Sequence, residues 1–122
     1  MPLLSRAIIL SLVAIPGLLV LPNSGAAQTG EIIQSILGRP MQNAQVTQAY
    51  IHADGSLEGV FNGISFAGTW TLEGDMYCRQ FTRGLTGRAI CMTVTAEYAP
   101  DGEVRVVIFE GPGGRARFDV GP

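Results

Sequence analysis

The sequence contains no lysine, only one histidine and only two cysteines among its 122 residues. All eight basic residues are arginines, dispersed along the chain and outnumbered by ten acids. The chain therefore lacks the concentrated positive charge by which proteins bind nucleic acids. The chain contains a single histidine, His52. No serine or cysteine nucleophile in a recognisable turn motif accompanies it, and no other metal ligands occur at the spacing of a metal site. These absences predict a protein that is not an enzyme and that binds no nucleic acid, metal or cofactor.

The N-terminal segment has the three parts of a secretory signal peptide. Arg6 supplies a positive charge, and residues 7–21 form an apolar run interrupted by a single serine. Small residues at Gly25 and Ala27 then occupy the positions that a signal peptidase reads before its cut. The sequence predicts that residues 1–27 are removed during export.

The alternative for this segment is a membrane anchor that is not cleaved. Its apolar run of 15 residues is shorter than the ~20 residues needed to cross a bilayer core, which favours cleavage. A cut after Ala26 fits nearly as well as one after Ala27. Cleavage after Ala27 leaves residues 28–122 as a single domain in the periplasm or outside the cell, with no membrane contact.

Cys78 and Cys91 are predicted to form a disulfide, because an exported chain folds in an oxidising compartment. Closing a loop of this length stabilises a fold by about 3 kcal/mol in the chain-entropy model. A metal-binding thiolate pair would need further cysteine or histidine ligands, and a redox pair is usually spaced C-x-x-C. A structural disulfide is therefore the preferred interpretation.

Two periodicities divide the remaining chain. Residues 31–37 carry isoleucine and leucine at helical spacing before Gly38 and Pro40, which predicts one or two helical turns over the end of a sheet. Beyond them, turn signals such as Asn62-Gly63 separate short β-prone segments. These segments predict seven strands, at residues 46–52, 56–61, 64–72, 76–82, 89–98, 103–109 and 115–120. Such short connections make the neighbours antiparallel, so we expect an all-β meander or up-and-down barrel, either closed or curled into a half-barrel.

Alternation along each strand assigns its two faces. The positions expected to face the core share apolar or small side chains, and they are Ile64, Phe66, Gly68, Trp70, Leu72, Ile90, Met92, Val94, Ala96, Tyr98, Ala116, Phe118 and Val120. Cys91 then faces outward, and Cys78 must face outward too, because bridged cysteines on neighbouring strands share a face. The inward face of strand 76–82 consequently carries Tyr77, Arg79 and Phe81.

An arginine between two aromatic residues inside a barrel must be paired or solvated, since an isolated buried charge is costly. One hypothesis is that Arg79 clamps an anionic ligand, with Tyr77, Phe81 and Trp70 as an aromatic wall. A structural ion pair, with Glu110 or Glu58 as the partner, is the first alternative. The second is a shifted strand register that leaves Arg79 in solvent.

Several of these motifs occur together in a known group of proteins. The motifs are Gly68-Thr69-Trp70, Gly74-Asp75-Met76-Tyr77-Cys78-Arg79, Cys91, and Phe109-Glu110-Gly111-Pro112-Gly113-Gly114 with Ala116 and Phe118. Over about residues 50–120 the chain resembles a group of small exported alphaproteobacterial proteins that has no established function. The resemblance implies an exported β-domain in which the adjacent Cys78 and Arg79 are a shared feature, and it implies no activity.

The sequence thus favours a monomeric, non-enzymatic module that binds a small anionic or amphipathic ligand. The alternative is a protein-interaction or inhibitor module that contacts a periplasmic protein through hairpin loops such as residues 83–88. The two hypotheses differ in one observable feature. A ligand-binding barrel needs an internal cavity at Arg79, whereas an interaction module needs only a filled core and an exposed loop.

Overall fold

The chain folds as an eight-stranded antiparallel barrel with one helix. A computed structural model describes residues 25–122. Its elements in chain order are α1 (Gly25–Ile36), β1 (Met41–Gln42), β2 (Val46–Ile51), β3 (Ser56–Phe61), β4 (Ile64–Glu73), β5 (Met76–Arg83), β6 (Ile90–Tyr98), β7 (Val104–Gly111) and β8 (Gly114–Val120). Each strand pairs with its sequence neighbours, and β1 pairs with β8, so the barrel is closed. The predicted all-β fold is confirmed.

The β3–β4 hairpin shows how turn chemistry sets the strand register. Asn62 and Gly63 both have positive φ, at 47° and 84°. Two successive residues of this kind build the tight turn whose twist matches a pair of antiparallel strands. Phe61 is therefore paired with Ile64, and the ladder continues to Ser56 and Thr69.

The strand that closes the barrel was not predicted from the sequence. The predicted meander had seven strands, and the eighth, β1, is only two residues long. Met41 pairs with Ala49 on one side and with Val120 on the other. Two residues are too few to show the alternation that identifies a strand, although they decide between a closed barrel and a half-barrel.

The helix covers one end of the barrel, which we call the closed end. Its buried residues recur at helical spacing and are Thr29, Ile32, Ile33 and Ile36. The segment after the helix is fixed to three strand ends: the Gly38 amide donates to the Ile51 carbonyl at 2.9 Å, and the Arg39 guanidinium donates to the carbonyls of Val104 and Gly121 at 2.9 and 2.8 Å.

The helix starts at Gly25, earlier than the predicted residue 31. Its first two turns lack apolar periodicity, and the buried position among residues 28–31 is a threonine, Thr29, which a hydrophobic pattern does not count. Most of the predicted signal peptide, residues 1–24, lies outside the described residues. Within residues 25–122, no helix combines the length and hydropathy of a membrane span.

The opposite end of the barrel, the open end, has no helix among the described residues. It is formed by the β1–β2, β3–β4, β5–β6 and β7–β8 connections. The longest of these, residues 84–89, joins β5 to β6. The β5–β6 ladder contains only three residue pairs, centred on Cys78 and Cys91. The disulfide between these two cysteines is formed, as predicted.

Most inward assignments agree with the structure, and three do not. Ile64, Leu72 and Tyr98 were expected in the core and are 49%, 37% and 54% exposed. Ile64 and Leu72 lie at or near the ends of β4, where fewer neighbouring strands cover a side chain. Tyr98 follows an irregularity in the β6–β7 register, which interrupts the alternation used to place it.

Candidate ligand-binding site

The barrel encloses a cavity of about 370 Å³. This volume lies within the range of small-molecule sites, which is ~300–1,000 Å³. The wall is mainly apolar, and its residues are Met41, Asn43, Gln45, Val46, Ala49, Tyr50, Ile51, Leu57, Glu58, Phe61, Phe66, Tyr77, Arg79, Phe81, Leu85, Met92, Phe109, Ala116 and Phe118. Because Asn43, Gln45 and Leu85 belong to connections at the open end, the cavity reaches that end of the barrel.

The cavity wall changes along the barrel axis. Toward the closed end the lining side chains are buried, among them Ile51, Leu57 and Tyr77. Toward the open end, lining residues such as Phe61 and Phe81 are half-buried. This gradient describes a pocket with an apolar floor and a more accessible rim.

Arg79 points into this pocket, as the alternation on β5 predicts. Its guanidinium carbon lies 4.2 Å from the centre of the Phe81 ring, a cation–π contact. Partial burial lowers the pKa of the guanidinium, and interaction with Tyr77 partly opposes that change. The predicted cluster of Tyr77, Arg79 and Phe81 is therefore brought together in one cavity wall.

The structure does not contain the structural ion pair that was the alternative role for Arg79. Residues 25–122 form three ion pairs, Arg39–Glu103, His52–Glu58 and Arg117–Glu97, and Arg79 is in none of them. Glu58 is instead 2.7 Å from His52. Glu110, the other considered partner, is exposed, and it alternates with the inward-facing Phe109.

Tyr77 is the most deeply buried polar side chain of the pocket wall, with 3% exposure. Its ring packs 5.3 Å from that of Phe109. The hydroxyl has no hydrogen-bond partner among residues 25–122, although buried tyrosine hydroxyls usually have one. Burial raises the pKa of Tyr77, and the charge of Arg79, two residues along β5 on the same inward face, partly counteracts that rise.

Trp70, the fourth predicted site residue, does not line the pocket. Its indole N–H donates to the His52 carbonyl at 2.9 Å, near the closed end. The ring lies 6.0 Å from that of Tyr77. Trp70 therefore packs near Tyr77 but does not itself border the pocket.

Sequence reasoning missed several aromatic residues of the wall, including Phe61, Phe66 and Phe109. Phe66 and Phe118 were assigned to the core, but alternation cannot distinguish a side chain that fills a core from one that borders a cavity. The loop considered for protein contacts, residues 83–88, also contributes to the pocket, because Leu85 lines it.

One cluster of potential metal ligands occurs within the described part of the chain. It combines Glu73 with Cys78 and Cys91, whose ligand atoms lie within 4.8 Å of one another. Both sulfur atoms are bonded to each other in the disulfide. The cluster therefore offers no thiolate for a metal ion while the bridge is formed.

The arrangement combines an apolar pocket, one cation and one buried hydroxyl. No family model, curated protein or solved structure matches this chain. A cation at the side of an apolar pocket suits a ligand that has a negative head group and an apolar body.

Proposed function

We propose that this protein is a non-enzymatic binding module that holds a small amphipathic anion inside its barrel. The observation that carries the proposal is the inward Arg79, which borders a cavity of about 370 Å³ and forms no ion pair within residues 25–122. A partly buried cation without a counter-charge is stabilised when an anion binds beside it. Tyr77 and Phe81 complete the binding surface.

The cavity favours this proposal over a module that acts through its hairpin loops. An interaction module has no need for an internal cavity, and its loop residues would face a partner. Here Leu85, in the longest loop at the open end, contributes to the pocket wall. The small unknown ligand is thus the preferred partner, and a periplasmic protein partner is the alternative.

The proposed site of action is the periplasm or the exterior of the cell, with the module acting as a monomer. The disulfide supports an oxidising compartment. The predicted signal peptide and the resemblance to small exported proteins support the same compartment. The charge balance supports a partner other than nucleic acid.

The test is to substitute Arg79→Met and titrate the protein calorimetrically with anilinonaphthalene sulfonate, an amphipathic monoanion. We expect affinity to fall about tenfold or more, since a charged hydrogen bond contributes ~1.5–3 kcal/mol. The unfolding free energy should change little, because the substitution removes a partly buried charge that has no carboxylate partner. Arg115→Met is the matched control, because Arg115 is exposed on the barrel exterior.

Two results would overturn the proposal. Equal affinities in the Arg79 and Arg115 variants would mean that the guanidinium does not recognise the anion. Unfolding of Arg79→Met would indicate a structural role. In that case Ala116→Phe provides a second check, because it fills part of the pocket and leaves Arg79 in place. Unchanged affinity for the dye in the folded Ala116→Phe variant would mean that the dye binds outside the pocket.

A further inference from the structure

The geometry points to a monocarboxylate head group, held jointly by Arg79 and Tyr77, on a ligand whose body is an unbroken apolar chain. This inference rests on the proposed function and specifies the class of ligand. It combines three features of the pocket, namely its single basic residue, the placement of its polar groups and its size.

The pocket offers one positive charge to a ligand. Arg79 is the only basic residue of its wall within the described chain. The one acidic wall residue there, Glu58, is 57% exposed and lies 2.7 Å from His52, so its charge is solvated and forms no ion pair with Arg79. A single cation matches a ligand with a single negative charge. A phosphate monoester would bring a second negative charge, which is costly to desolvate and has no second basic residue to pair with in the pocket wall.

The guanidinium is held in a way that suits a planar anion. The guanidinium carbon lies over the Phe81 ring, 4.2 Å from the ring centre. Its five N–H donors lie in the guanidinium plane, and no carboxylate among residues 25–122 pairs with them. Two parallel N–H groups on one edge of that plane match the two oxygens of a carboxylate.

Tyr77 supplies the second polar contact. Its hydroxyl is buried in the pocket wall and lacks a hydrogen-bond partner among residues 25–122. A buried donor without a partner costs free energy, and an anion beside Arg79 would satisfy it. The Asn43 side chain is held in place by other contacts, because its oxygen accepts from the Gln45 and Val46 amides and its nitrogen donates to the Arg117 carbonyl.

The remaining wall is suited to a hydrocarbon body. Toward the closed end, the pocket is bounded by buried apolar side chains that include Met41, Ile51 and Leu57. The cavity volume of about 370 Å³ lies within the ~300–1,000 Å³ range of small-molecule sites. Decanoate, which joins one carboxylate to one unbranched hydrocarbon chain, is therefore the probe.

The experiment compares four ligands that each have one unbranched ten-carbon chain and differ in their head group. Calorimetric titration of the unmodified, oxidised protein with decanoate should give an affinity at least tenfold higher than with decanol, decyl phosphate or decyltrimethylammonium. Because this comparison needs no variant, it does not depend on how a substitution affects folding.

Two pairs of variants then locate the head group. Arg79→Met should weaken decanoate binding about tenfold to a hundredfold, and Tyr77→Phe should weaken it about threefold to tenfold. The matched controls are Arg115→Met and Tyr98→Phe, both at exposed positions, and neither should change the affinity.

The outcomes separate this inference from the proposed function. If decyl phosphate or decanol binds as tightly as decanoate, or if Tyr77→Phe leaves decanoate affinity unchanged, the carboxylate assignment is wrong. The proposed function still stands in that case if anilinonaphthalene sulfonate binds and depends on Arg79. If neither the dye nor any decyl compound binds, both proposals are overturned.

Discussion

Two polar residues, Arg79 and Tyr77, lie in a mainly apolar wall, and each keeps its polar group inside the barrel. Arg79 sits two residues farther along β5, nearer the open end, so its charge is only partly desolvated and the Phe81 ring supports it. Tyr77 is buried deeper, and its hydroxyl has no partner in the described chain. Because the charge of Arg79 is only partly desolvated and the Tyr77 hydroxyl is uncharged, the fold tolerates both polar groups in the pocket wall without an ion pair there.

The buried hydroxyl gives Tyr77 a measurable effect on stability at high pH. Burial raises its pKa, so the folded protein keeps this proton at pH values where the unfolded chain loses it, above about pH 10. The contribution to stability is therefore complete below that pH and is lost as the pH rises further. Between about pH 10 and 11, the unmodified protein should lose ~1 kcal/mol more unfolding free energy than Tyr77→Phe. Urea denaturation of both proteins checks this, and parallel pH profiles would contradict it.

Along individual strands, regular alternation was predictable and irregular positions were not. The inward face of β5 follows directly from the outward position of a disulfide, and the structure confirms it. In β2, by contrast, the register shifts between Thr47 and Tyr50, and Gln48 has a positive φ of 51°. This irregularity moves the buried positions from Val46 to Ala49 and Ile51. No residue type in that segment marks such a shift, because its cause is the pairing with β3.

The short β5–β6 ladder makes the disulfide important for the pocket. Cys78 lies between Tyr77 and Arg79, and these three residues form all the β5–β6 pairs. We expect the Cys78→Ala/Cys91→Ala double variant to lose about 3 kcal/mol of unfolding free energy. Denaturant titration measures this loss.

Hydrogen exchange of the same variant shows where the loss occurs. Amides of the β5–β6 ladder should exchange faster by a larger factor than those of the β3–β4 hairpin, which has six pairs and no bridge. The hairpin serves as the internal control. Equal acceleration in both regions would contradict a local role for the bridge.

For the whole molecule, the sequence predicted the class of fold and the disulfide but not how the barrel closes. Turn residues located the hairpins, since each such signal is local in the chain. Closure depends on the pairing of Met41 with Val120, residues far apart in sequence, and a two-residue strand carries no periodic pattern. The pocket could not be predicted for a similar reason, because its volume depends on how side chains from all strands fit together.

Export should produce a chain that begins at Gln28. Helix α1 starts three residues earlier, but the buried positions from Thr29 to Ile36 all lie after the cut, so the helix can still cover the closed end. In a Gram-negative expression host, the intact mass of the periplasmic protein should correspond to residues 28–122.

The double variant Ala26→Arg/Ala27→Arg removes the small residue before either of the two candidate cuts and should leave an unprocessed chain. Gln34→Arg, at an exposed helix position, is the matched control and should be processed normally. An unprocessed chain with the natural sequence, or a mature mass that begins after Thr29, would contradict the predicted cleavage.

The position of Trp70 also gives the molecule an optical property. It is the single tryptophan of the chain, and its ring lies 6.0 Å from Tyr77, whose own side chain borders the pocket. The indole emission of this protein therefore arises from one place, separated from a bound ligand by a single aromatic ring. Any ligand that moves or polarises Tyr77 changes the surroundings of that one emitter, so the unlabelled protein carries its own spectroscopic reporter of occupancy.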